Sequence, residues 1–262
     1  MESTYEMTPQ RYGKKDGIIA LLVWLCYVIL ISAYVAITSR LNMPWYMFVI
    51  VIIIFFSLLV VGVFMVVKIR KQRIVSIGFR KDNIGKAIGF GLLISLIPIV
   101  FLAILPGIIN GFNNIDALGL VVALITTFFF AAHEDVIFVG FIQTRLYGLF
   151  QTQVVAIGVG AILFALMHVP PWVINGRLDF GQPLTVVTVF LAWAILHIVF
   201  VSVFKKYFSI VPVLILHTIW NYSMNFAQME GVIDFSLIAI ILAVLVACFL
   251  YWQSHKRNNN LD

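Results

Sequence analysis

The chain has 262 residues, 63% of them hydrophobic and only 11% charged, with a formal net charge of +6. Soluble domains carry about 25% charged residues, and no polar stretch here is long enough to fold as a soluble unit. The basic excess does not imply a nucleic-acid partner, because Lys and Arg in a chain of apolar spans report orientation first.

Successive apolar windows of about 20 residues predict an all-α, polytopic membrane helix bundle with about eight transmembrane helices. The polar tail 1–16 carries no short apolar stretch with a small-residue cleavage site, so no removable signal is expected. The first span is predicted at 18–38, the second at 44–67 and, after a basic loop, the third at 88–109. The fourth, 117–150, is longer than a crossing needs and is expected to tilt, break or protrude. The fifth, 154–168, is expected to stop at Pro170-Pro171, which cannot continue a helix. The sixth, seventh and eighth are predicted at 184–204, 208–226 and 235–252. Cys26 and Cys248 both fall inside spans. They are expected to be small buried apolar residues, with neither disulfide nor zinc spacing.

Charge tests this count. With the N-terminus inside, 15 of the 17 Lys and Arg fall on inside segments, and only Arg40 and Arg177 fall outside. That split is the one expected of an N-in, C-in chain with an even number of spans. The basic loop from Lys68 to Arg80 serves first as a topology determinant, with anionic lipid headgroups as its other partner. The chain then divides into a cytoplasmic tail 1–16, three spans over 17–110, a core of four spans over 117–226, and a last span and tail over 233–262.

Four polar groups recur inside apolar helices: Glu134, His168, His217 and Asn221. Asp135 adjoins Glu134. Ionisable groups at membrane depth cost a few kcal/mol each on insertion scales and mark functional sites. His217 and Asn221 lie four residues apart and share one helical face. Glu134 and Asp135 lie about 100° apart around the axis, so one of them points squarely at a common centre. A carboxylate beside two imidazoles can act as a general base on water held by a histidine. Equally, Glu134, His168 and His217 suit zinc with an open position for water. A His–Asn pair can supply oxyanion donors. The residues alone leave hydrolysis and ion transport both open. His133 and His197 are expected to make helix–helix hydrogen bonds, and His255 to lie in the solvated tail.

The order of three short motifs resembles the CAAX-protease and bacteriocin-processing family (CPBP, or Abi) of intramembrane proteases, which includes the CAAX prenyl protease 2 type. The family pattern EExxxR, FxxxH and HxxxN or HxxxD reads here as Glu134-Asp135-Val-Ile-Phe-Val139, Phe164-Ala-Leu-Met-His168 and His217-Thr-Ile-Trp-Asn221. The resemblance covers about 118–224. It implies a hydrolase, of metallo- or glutamate type, in which Glu134 and His168 activate water while His217 and Asn221 form the oxyanion site. Asp135 is then a secondary acid. It also implies a peptide or protein substrate in or at a bacterial plasma membrane, in peptide maturation or bacteriocin self-immunity.

Two positions depart from the pattern. Asp135 replaces the second Glu, and Val139 replaces the Arg that could pair with it at i, i+4. Arg145, ten residues on and about 15 Å along the axis, cannot take that place, so Asp135 is expected to be protonated or bonded to another helix. These departures keep two other readings alive. One is a degenerate member that binds and regulates a membrane partner without cleaving it. The other is a proton- or ion-coupled transporter, against which stands the lack of an internal repeat. His168, at the outer end of the fifth span, biases the centre toward the outer leaflet.

Overall fold

The computed structural model describes residues 12–150, 152–228 and 244. The expected eighth span, Cys248 and His255 lie outside the described residues. Among those that are described, nearly all the ordered backbone is helical, and the nearest approach to a strand is an isolated antiparallel bridge between Phe112 and Ala227.

Two long helices open the chain, α1 (Lys14–Thr38) and α2 (Trp45–Ile69). A short 3-10 turn, Ile74–Ile77, follows. Helix α3 (Ile84–Pro98) continues through a π-helical segment, Ile99–Ile104, into α4 (Leu105–Asn110). Helix α5 (Ala117–Glu134) likewise continues through a π-helical segment, Asp135–Gln143, into α6 (Thr144–Leu149). The remaining helices are α7 (Gln153–Ile174), α8 (Pro183–Tyr207) and α9 (Val211–Ser223). Side-chain caps start two of them: Asp116 accepts from Gly119 N at the head of α5, and Thr152 from Val155 N at the head of α7.

Six helices among the described residues are long and apolar enough to cross a membrane. Together with their sequence, they make this an integral membrane protein. The expected seventh span is shorter than read from sequence. Helix α9 has 13 residues, about 20 Å at 1.5 Å per residue, and so does not cover a hydrocarbon layer of about 30 Å by itself. It packs against α3 and α5 instead, with His217 and Trp220 buried. Beyond it, residues 225–228 clasp the loop after α4. Asn113 N donates to Phe226 O at 2.9 Å, and its side-chain amide reaches Asn225 O and Ala227 O at 2.9 and 3.0 Å.

The fifth span corrects an expectation. Helix α7 does not stop before Pro170-Pro171 but runs through both to Ile174. The prolines remove two backbone donors, so the Leu166 and Met167 carbonyls lose their usual partners at i+4. Transmembrane helices tolerate this when neighbouring helices cover the freed groups, and α7 lies along α8. Just past its cap, Asn175, the chain turns at Gly176, whose φ of 65° suits a residue without Cβ.

Cys26 is a second correction, because it faces outward from α1 rather than into the bundle. The helix turns about 100° per residue, and Tyr27 next to it takes the inward face. A thiol, as a small apolar group, is compatible with lipid there.

At the face carrying the basic loop, the turn after Ile77 is locked. Gly78 O accepts from Ile210 N at 3.0 Å, and at φ 93° any Cβ there would lie 2.8 Å from that same nitrogen. Arg145 is buried beneath it. Its guanidinium donates to Gln72 Oε1, Ser76 Oγ, Ser76 O, Thr144 Oγ1 and Gly140 O. It thereby ties the π-helical segment to the basic loop and is not free to serve as a mobile surface charge.

Candidate active site

Each motif position acquires a physical role once the helices are packed. Phe164 O accepts from His168 Nδ1 at 2.9 Å. A carbonyl cannot donate, so Nδ1 carries the hydrogen, and in the neutral ring Nε2 is left as an acceptor. The His168 ring is also stacked on Trp193, with centroids 4.2 Å apart and planes 15° apart. It meets the Phe164 ring edge-on at 4.9 Å. The hydrogen bond and the two ring contacts set both the tautomer and the orientation of this imidazole, and its Nε2 stands 3.9 Å from Glu134 Oε2.

His217 is held from the opposite side. Asp135 Oδ1 lies 2.9 Å from its Nδ1, with both groups buried. Glu134 Oε2 lies 3.8 Å from its Nε2. Two acids adjacent in sequence therefore address the two nitrogens of one ring. Glu134 is the last residue of α5 and Asp135 the first of the π-helical segment. Single π turns within α-helices are frequent at functional sites. Of the two, Glu134 lines the central cavity while Asp135 stays behind His217. Asp135 is thus bonded to another helix, the second of the two alternatives that the missing Arg had left. Its Oδ2 has no hydrogen-bond partner among the described residues. Val139, at the Arg position of the motif, is fully buried in the apolar core.

The cavity has a volume of about 980 Å³. Glu134, His168, His217 and Asn221 all line it, so the structure brings together the four residues that the sequence singles out. Aromatic side chains, including Trp172, Trp193 and Trp220, form much of its wall. Tyr27 and His133 line it too, and sequence reasoning missed them as cavity residues. The Tyr27 hydroxyl lies 2.8 Å from His133 Nε2, and His133 Nδ1 lies 2.9 Å from Phe129 O. The His133 ring is stacked on Phe56 at 3.8 Å. His133 makes a cross-helix hydrogen bond, as expected of it, and so does His197, whose Nε2 lies 3.0 Å from Gln143 Oε1. The only signal for the cavity position of His133 was its place beside Glu134. Trp193 had none, being one aromatic residue in an apolar span.

Residues 116–223 match the family described as Rce1-like, type II CAAX prenyl endopeptidases. The match covers less than half of the chain, from the cap of α5 to the end of α9. It bears out the resemblance drawn from the three motifs, and its kinship is with a family of proteases. No curated protein and no solved structure matches the chain.

Whether a metal fits this site follows from its geometry. The donor chemistry suits zinc, with two imidazole Nε2 atoms facing one carboxylate. The spacing does not. Ligand atoms around tetrahedral zinc, bound at 2.0–2.1 Å, lie about 3.4 Å apart, whereas Glu134 Oε2 is 3.9 and 3.8 Å from the two nitrogens. Among the described residues no group of three His, Cys, Asp or Glu is placed to hold a metal ion.

Proposed function

We propose that the chain is an intramembrane endopeptidase that cleaves a membrane-associated peptide or protein with water activated by Glu134 and His168. The observation that carries this reading is the placement of Glu134 Oε2 3.9 Å from His168 Nε2, at the wall of a large cavity lined mainly by apolar side chains. That separation is too long for a direct hydrogen bond, and it suits one water bridging the two atoms.

Such a water donates one hydrogen to Glu134 and the other to His168 Nε2, the acceptor left by the Phe164 bond. Its lone pair then faces the cavity. On attack at a scissile carbonyl, Glu134 takes the proton as general base and returns it to the leaving amine. The oxyanion needs donors. Asn221, one turn beyond His217, offers an amide N–H. His217 offers Nε2–H when the ring is doubly protonated, and Asp135, 2.9 Å from Nδ1, is the buried anion that pairs with such an imidazolium. Asp135 is then the residue that makes His217 an oxyanion donor. The bilayer is the medium of the reaction, and the apolar wall suits a hydrophobic substrate segment. Peptide maturation and bacteriocin self-immunity in a bacterial plasma membrane are the roles that fit a compact intramembrane peptidase.

Val139 and the unpartnered Asp135 Oδ2 favour a second reading, a member that binds a membrane partner and regulates it without cutting. One experiment separates the two. Wild type, Glu134→Gln and His168→Ala are expressed in host membranes at levels equalised by immunoblot, and new peptide termini are mapped by mass spectrometry. Hydrolysis requires that both variants insert but lose the termini and the associated phenotype. Full phenotype in both variants, with no wild-type-specific termini, establishes the regulator.

A further inference from the structure

We infer that the cavity takes its substrate from the membrane face opposite the basic loops, the extracytoplasmic face. What it processes is then an apolar segment presented at the outer leaflet rather than a cytosolic chain end. The word substrate rests on the hydrolase reading above; the access route does not.

The two faces of the bundle are defined by contacts. At one, Asp16 pairs with Arg70 at 3.0 Å, Gly78 O accepts from Ile210 N, and Lys205 donates to Gln153 at 2.8 Å. The start of α1, the end of α2 and the α8–α9 turn therefore share that side with the start of α7. At the other, residues 110–113 meet residues 225–228. Of the Lys and Arg among the described residues, 12 belong to the first face and only Arg40 and Arg177 to the second. Such asymmetry across short loops places the first face in the cytoplasm.

The cavity belongs to the second face. The exposed residues at its rim are Ser39 just after α1, Phe48 early in α2, and Asn175 and Arg177 just after α7, all on the lightly charged side. No lining residue comes from the basic loop 68–81 or from the first 13 residues of α1. His168 lies six residues from the outer end of α7 and fifteen from its inner end, roughly 9 and 22 Å at 1.5 Å per residue. On the cytoplasmic side stand the buried Arg145 cluster and the close approach of Phe204 and Ile210 to Gly78. Arg177 stands over the Trp172 ring at 5.9 Å and is the one Lys or Arg among the described lining residues.

Accessibility labelling tests this. In a background with Cys26→Ala and Cys248→Ala, single cysteines are placed at the rim (Asn175→Cys), in the basic loop (Arg73→Cys) and within the cavity mouth (Thr38→Cys). Intact cells of a bacterial host are treated with a membrane-impermeant maleimide polymer. Labelling of Asn175→Cys is expected to exceed that of Arg73→Cys at least tenfold, with the two equalised by permeabilisation. The reverse order overturns the inference. Should a cysteine variant fail to insert, trypsin added to sealed vesicles of wild type gives the same decision. The basic loop is expected to be cut only in inside-out vesicles, and cutting in right-side-out vesicles overturns the inference. A polymer attached at Thr38→Cys is expected to lower product formation at least tenfold, and full cleavage by the labelled protein refutes access through this mouth. If unlabelled wild type yields no product, the hydrolase reading fails while the labelling still decides the face.

Discussion

Replacing Asp135 by Asn keeps the side-chain volume and an acceptor oxygen 2.9 Å from His217 Nδ1 but removes the negative charge. A hydrogen bond to a charged partner contributes about 1.5–3 kcal/mol. At 1.36 kcal/mol per tenfold, its loss from a transition state that needs a protonated His217 slows cleavage by roughly 10- to 150-fold. The ground state does not suffer in the same way, because Asp135 is buried with Oδ2 unpartnered and an amide is cheaper to bury than a carboxylate. We therefore predict a fall in kcat with KM unchanged, and a Tm equal to or above that of wild type. The assay is single-turnover cleavage in proteoliposomes of the peptide that Glu134→Gln cells fail to process, alongside the 15N shifts of His217. Wild-type cleavage rates in Asp135→Asn, with Glu134→Gln inactive in the same vesicles, would refute the assignment of Asp135 as the partner that charges His217. A lowered Tm with proportionate loss of folded protein would make Asp135 a structural residue only.

Other outcomes follow from the same geometry. Glu134→Gln should lower the cleavage rate by at least about 10²-fold, the lower end of what a positioned base contributes, without altering detergent-solubilised stability; residual activity within tenfold of wild type would exclude it as the base. Gly160→Ala should destabilise the fold by about 1–3 kcal/mol, because the added Cβ meets Gln143 Oε1 and comes within 3.0 Å of His197 Nε2. Thermal unfolding in detergent measures this, and an unchanged Tm would mean that the Gln143–His197 bond moves aside freely. From the 3.8 and 3.9 Å spacings, a zinc chelator such as 1,10-phenanthroline is expected to leave cleavage unchanged. Loss of activity restored by added zinc would show that Glu134, His168 and His217 close around a metal during turnover.

Much of the bundle was legible because its signals are local. A span is a run of apolar residues, and the alternation of basic loops follows from where charge can stay in water. The candidate centre was legible for a similar reason: Phe164 to His168 and His217 to Asn221 are i, i+4 pairs, which one helix turn places together without reference to the rest of the chain. The sequence therefore determined the first six spans, with their approximate limits apart from the end of α7, and the four groups that line one cavity.

Tertiary packing decided what depends on distances between helices. Pro170 and Pro171 lie within a helix because the cost of two missing donors is set by the surroundings, which the proline rule does not contain. Helix α9 is short because its ends are fixed by the Gly78–Ile210 contact and the clasp onto residues 110–113. The partner of Asp135 was not readable at all. It sits 82 positions away on His217, and a buried acid needs a donor that only the packing of the helices can bring within 3 Å. The position of His168 near the outer end of its span already pointed to one leaflet, whereas the residues that form the cavity rim, Ser39, Phe48, Asn175 and Arg177, come together only through the packing of α1, α2 and α7.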